Sequence, residues 1–171
     1  MMDVSEEKDA SWLKSFQKHR HDVLNSLQLV QGYLQLERTG AALTSLHKLS
    51  RWLHSLSLLQ SHLPESAVTL FQVAMTCPHV IVEEWCGSTA IDADSIWSMR
   101  VLWQRLEDVA TELDVAQVML KIAANSSERH VPIQIRVLWP KGFVDLVQAR
   151  EGLESLSSLP GVRIVLDEAK V

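Results

Sequence analysis

His21, Asp22 and, one helical turn on, Asn25 are the residues of this chain best equipped to do chemistry together. An imidazole has an ordinary pKa of about 6.5, so near neutral pH one ring nitrogen keeps a lone pair and can act as a nucleophile. Asp22 could orient the ring or stabilise its cationic form, and Asn25 at i+4 could touch the imidazole or a group attached to it. Arg20 could meet a phosphoryl oxygen. Gln28 continues the polar face, Lys14 and Lys18 precede it, and Gly32 lies close to it. A helical glycine costs about 1 kcal/mol relative to alanine, so Gly32 needs a reason, and room for an approaching protein is one. His47 and His54 also lie on polar faces, but neither is followed by a carboxylate, and their i+4 positions are Arg51 and Leu58.

A long amphipathic helix is needed to hold this set. Residues 5–37 contain no proline, and Trp12, Phe16, Val23, Leu27, Val30 and Leu34 recur at helical spacing. Projected at about 100° per residue, Phe16, Leu27, Val30 and Leu34 fall within about 40° of Val23, whereas His21 lies about 160° away and faces solvent. His19 lies on the apolar side. The break at Glu37-Arg38-Thr39-Gly40 suits a left-handed Gly40, and Ala42, Leu46, Leu49, Leu53, Leu56 and Gln60 resume a stripe that Pro64 stops. So short a connection predicts an antiparallel hairpin. Two helices alone cannot cover both apolar arcs, so a second copy is expected to complete a dimeric four-helix bundle.

The rest of the chain changes character, which divides it into a helical hairpin at 1–65 and a small α/β domain at 66–171. Val80 to Trp85 reads as a strand, and Asp94 to Leu113 as a helix through Trp97, Val101, Leu102, Leu106 and Val109. Val115 to Ala123 and Val131 to Trp139 read as a strand hairpin joined by the polar turn 125–130. Phe143 to Leu159 reads as a helix, and Val162 to Leu166 as a last strand after Pro160-Gly161. The expected class is α+β, with helices on one face of the strands.

Composition excludes several partners. In 171 residues, 16 Lys and Arg face 21 Asp and Glu, a net charge of -5 that offers nothing to a nucleic-acid backbone. No stretch has the roughly 18 apolar residues of a membrane span, and the acidic start MMDVSEEKDASW has no apolar signal core, so a cytosolic address is expected. Cys77 and Cys86 are expected to be reduced and buried. With His79 they make a poor zinc set, so no metal site is expected. Most tryptophans should lie in the core or a dimer interface, with Trp85 and Trp139 the candidates for exposure. Ser57, Ser61 and Ser66 have no acid-base partners in hydrolase fashion.

The run His19-Arg20-His21-Asp22-Val23-Leu24-Asn25-Ser26-Leu27-Gln28 through Leu34 resembles the phosphoacceptor helix of the sporulation initiation phosphotransferase B family. More widely it is similar to the Arg-His-Asp-x-x-Asn-x-Leu-Gln motif of related helical-hairpin sensor kinases. The resemblance is specific over about sixteen residues, and beyond them only the order of elements matches. It implies that His21 takes a phosphoryl group from the aspartyl phosphate of one response regulator and passes it to the aspartate of a second, in sporulation initiation. It also implies a homodimer, a C-terminal domain like a histidine-kinase ATP-binding domain that no longer binds nucleotide, and Mg²⁺ held by the regulator rather than by this chain. Asp22 and Asn25 would then support the reaction. Lys14, Lys18, Arg20, Gln28 and Gly32 would flank the docking face, and the cluster of Lys14, Lys18, Arg20 and His21 could steer toward the regulator's acidic pocket.

Two other readings use the same residues: a module that binds regulators without taking up phosphate, and a sensor-kinase fragment. The glycines, at 32, 40, 87, 142, 152 and 161, form no G-x-G, and the helix 94–113 has no asparagine to hold Mg²⁺. ATP-dependent kinase activity is therefore not expected.

Overall fold

A computed structural model describes residues 4–87, 91–124, 133–140, 151, 153, 156 and 158–168. Two helices, α1 (Val4–Gln35) and α2 (Thr39–His62), form the expected hairpin. A 3₁₀ turn (Glu65–Ala67) leads into α3 (Val68–Ala74), then β1 (Val80–Gly87), α4 (Ala93–Glu112), β2 (Val118–Ala124), β3 (Ile133–Trp139) and β4 (Val162–Glu168). The class is α+β: α1 to α3 precede a small mixed sheet in the order β1-β2-β3-β4, and α4 connects its first two strands. β1 runs parallel to β2, β2 antiparallel to β3, and β3 parallel to β4.

Hydrogen bonds to the last turn end α1, without help from Gly40. The Arg38 N–H donates to Tyr33 O at 2.8 Å and the Glu37 N–H to Leu34 O at 3.0 Å, a pairing that puts the intervening residue in the left-handed region. That residue is Glu37, at φ 58°, while Gly40 already lies inside α2. α4 ends in the same way. Val115 N–H donates to Ala110 O at 2.7 Å and Asp114 sits at φ 51°, which delays the following strand from the expected Val115 to Val118.

α3 was not legible as a helix. It has seven residues, too few to show a period, and carries the β-branched Val68, Thr69 and Val73. Packing against α4, α1 and α2 holds it in place.

α2 faces two ways, which rotates its buried side away from the expected stripe. Leu49, Trp52, Ser55, Leu56 and Leu59 are buried, whereas Leu46 and Leu53 are exposed. The reason is β1, an edge strand that α2 covers: the Val82 N–H donates to Ser55 Oγ at 2.7 Å, and the His62 ring stacks on Trp85 with centroids 5.7 Å apart. Gln117 Nε2 donates to Lys48 O at 2.8 Å where β2 approaches α2. One core therefore runs from Leu49 and Trp52 through Leu102, Trp103 and Leu106 of α4 to Leu120, Ile135 and Val137 of the sheet, crossing residue 65 without a gap.

Along β2 and β3, burial alternates as a sheet with one covered face requires. Trp139 and Trp85 are buried, against expectation, as members of the common core, with Trp85 under the His62 ring of α2; the exposed tryptophans are Trp12 and Trp97. Lys121 pairs with Glu84 at 3.1 Å, and Arg136 with Asp167 at 3.2 Å. The expected turn at 125–130 and most of the expected helix Phe143 to Leu159 lie outside the described residues; Glu151 and Leu153 are helical. Among the described residues no helix is long and apolar enough to cross a membrane.

Candidate functional site

His21 sits near the middle of α1 with its side chain 71% exposed, as its projection away from Val23 requires. The Asn25 amide lies alongside the ring, 3.1 Å from Nδ1 and 3.4 Å from Nε2. Asp22 Oδ1 stands 3.5 Å from Nδ1, at the outer limit of a hydrogen bond. Asn25 is thus the closer partner of the ring, and Asp22 acts mainly as a nearby negative charge. The Ser26 hydroxyl bonds back to Asp22 O at 2.8 Å inside the helix.

The flanking residues divide. Lys14, Arg20 and Gln28 are exposed, with Arg20 about 100° around the helix from His21. Lys18 is turned elsewhere: its Nζ donates to Thr76 O at 2.9 Å, on the turn after α3. Gln28 and Gly32 join Asn25, Leu29, Tyr33 and Leu36 around a shallow groove of about 460 Å³ that begins one turn beyond His21. A Cβ added to Gly32 would meet nothing within 4 Å, so packing within the chain does not require glycine there; its missing side chain widens the groove.

A set of contacts beside His21 was only partly legible. His19 packs edge-on against Trp52, ring centroids 4.8 Å apart, and its Nδ1–H donates to Met75 O at 3.2 Å. Trp52 Nε1–H donates to Ala74 O at 3.3 Å. With Lys18, three side chains of the hairpin thus hold the carbonyls of Ala74, Met75 and Thr76, where a short helix ends and leaves acceptors without helical donors. The apolar projection of His19 points it inward, but one of its two partners, Met75 O, lies just after α3, a helix the sequence does not reveal.

The residues weighed as a zinc set do something else. His79 Nδ1 lies 2.7 Å from Glu107 Oε1, and the His79 backbone N–H donates to Glu107 Oε2 at 3.0 Å. Burial pushes the Cys77 thiol up to about 12, with Glu107 adding to the shift. Cys86 is exposed rather than buried, because it follows the bulge of β1 and faces Glu84 at 3.3 Å. Both cysteines are free thiols. Among the described residues no three His, Cys, Asp or Glu side chains are grouped to hold a metal.

The hydrogen bond to Glu107 raises the pKa of His79 above 6.5, outweighing the opposing effect of burial. Its sign fixes a pH dependence. The stabilisation is fully present below the unfolded-state value of about 6.5 and is lost as pH rises through the raised folded value. Denaturation at pH 6 should therefore separate wild type from Glu107→Gln more widely than at pH 8.5. A gap independent of pH would show that the pair is not ionic.

Residues 2–61 match the model of a known domain family, the sensor kinase SpoOB-type alpha-helical domain. No curated protein matches the chain.

Proposed function

From the premise that the helical hairpin belongs to the SpoOB-type alpha-helical domain family of two-component signalling, we propose that the chain is a phosphorelay histidine phosphotransferase acting between response regulators through His21. The observation that carries this reading is the exposed His21 ring with the Asn25 amide 3.1 Å from Nδ1, on a helix matched by that family. A ring-nitrogen lone pair attacks the phosphorus of an aspartyl phosphate on the first regulator. The P–O bond to the aspartate breaks, the carboxylate leaves with its electron pair, and the phosphorylated ring carries positive charge beside Asp22. Attack by the second regulator's aspartate reverses the sequence and returns the lone pair to the nitrogen. Such transfer depends chiefly on positioning and charge stabilisation. Mg²⁺ belongs to the regulator's acidic pocket in this scheme, and this chain supplies the aimed ring, the Asn25 contact and the groove at Gln28 and Gly32.

The working form is a homodimer in the cytosol. Phe16, Leu27 and Leu34 of α1 and Leu46 and Leu53 of α2 are exposed at 38–54%, a seam whose apolar area a second hairpin would cover. The C-terminal layer is read as a former ATP-binding domain that now braces the hairpin. Sedimentation at tens of micromolar should give twice 19.3 kDa for wild type and 19.3 kDa for a Leu46→Lys, Leu53→Lys double variant. A wild-type monomer would remove the dimer from the scheme. The function itself is tested by incubation with a phosphorylated receiver domain. Acid-labile label should appear on wild type and be absent from His21→Ala, whereas binding without label would make the chain a docking module.

A further inference from the structure

Away from His21, α4 and the 3₁₀ turn with α3 enclose a groove of about 300 Å³, lined by Ser66, Thr69, Ala93, Ile96, Trp97 and Arg100. Trp97 is 51% exposed, although large aromatic side chains normally contribute most by burial, and Val68 nearby is 50% exposed. Trp97, Arg100 and Gln104 are spaced three and four apart on α4 and share one face.

Arg100 is the unusual member. It is half-buried, and its Nε is closed off from solvent with no hydrogen-bond partner among the described residues. Among the described residues no carboxylate pairs with its guanidinium. Three acids on this helix or at its start are occupied or turned away. Asp92 caps α4 through the Ser95 N–H at 2.7 Å, Glu107 is bound to His79, and Asp94 lies about 120° around the helix from Arg100. A partly desolvated cation without a counter-ion is costly, and an anion supplied from outside would remove that cost. The Ser66 and Thr69 hydroxyls on the opposite wall have no hydrogen-bond partner among the described residues and can donate to further anion oxygens.

We propose that this groove is a binding site for a small organic anion, its carboxylate or phosphate paired with Arg100 and its flat apolar body stacked on Trp97. The volume, at the low end for small-ligand sites, fits about one ring with its acid group. The site is independent of the chemistry at His21.

Phenyl phosphate and benzoate, added separately to the full ¹⁵N-labelled chain, should each shift the Trp97 indole resonance saturably, and the tighter of the two identifies the preferred acid group. Arg100→Gln should weaken binding by about tenfold or more, as loss of a charge-assisted hydrogen bond implies. Arg100→Lys should weaken it less, and Trp97→Ala should abolish the preference for phenyl phosphate over inorganic phosphate. Thermal melts with and without each probe give a second readout, because only a fold that binds is stabilised. The proposal is overturned by no saturable shift, by equal affinity in Arg100→Gln, or by inorganic phosphate binding as tightly as phenyl phosphate.

Discussion

Trp52→Ala should destabilise the protein by about 3–5 kcal/mol, the range for removing a buried aromatic side chain. Trp52 is only 2% exposed and belongs to the core that joins the hairpin to the sheet. Its loss leaves a cavity, strips Ala74 O of the indole donor, and takes away the ring against which His19 packs. At about 2–4 °C per kcal/mol for a chain of this length, the melting midpoint should fall by about 6–20 °C. Trp52→Phe, which keeps an aromatic body but not the N–H, should cost about 1–2 kcal/mol. Urea denaturation of the three proteins measures this directly. A loss under about 1 kcal/mol for the alanine variant would mean that hairpin and sheet are not one packed unit.

Trp52 also shows where reading the sequence stops. The hairpin, the polar placement of His21, the strands and α4 are all legible, because each depends on a period or a turn signal within one segment. The two-sided burial of α2 is not, since Trp52, Ser55 and Leu59 are selected by β1 and α3, which lie far along the chain. Glu37 is not legible for a similar reason: the hydrogen bonds that end α1 choose its left-handed residue by position, whereas residue type favours the nearby Gly40. His79 was noticed for its neighbours Cys77 and Cys86 in sequence, yet its partner in space is Glu107, 28 residues on. His21, Asp22 and Asn25 share one helical turn, so their proximity follows from the sequence alone. The brace beside them is not local: Lys18, expected to flank a docking face, instead holds Thr76 O, 58 residues on.

The second large effect concerns phosphoryl uptake. His21→Ala removes the nucleophilic nitrogen, so labelling from a phosphorylated receiver domain should fall below detection while the fold persists, because the exposed ring contributes little to packing. Asn25→Ala should slow transfer by about tenfold to a hundredfold without abolishing it, as expected when a reacting group loses the contact that holds it in place. Asp22→Asn should cost less than about fivefold, since the half-buried carboxylate stands 3.5 Å from a ring that is itself exposed and partly screened by solvent. This order, with His21 far above Asn25 and Asn25 above Asp22, follows from the distances. The reverse order for the two neighbours would make charge, and not aim, the larger contribution. Labelling by ATP alone would instead revive the kinase reading that the sparse glycines argue against.

The central claim is that the phosphoryl group resides on His21, and the most direct measurement is its location. After brief incubation with a phosphorylated receiver domain, proteolysis at neutral pH and mass spectrometry should place an acid-labile phosphate on the peptide containing His21-Asp22-Val23-Leu24-Asn25. Phosphate on any other residue, or uptake by His21→Ala equal to that of wild type, would contradict it.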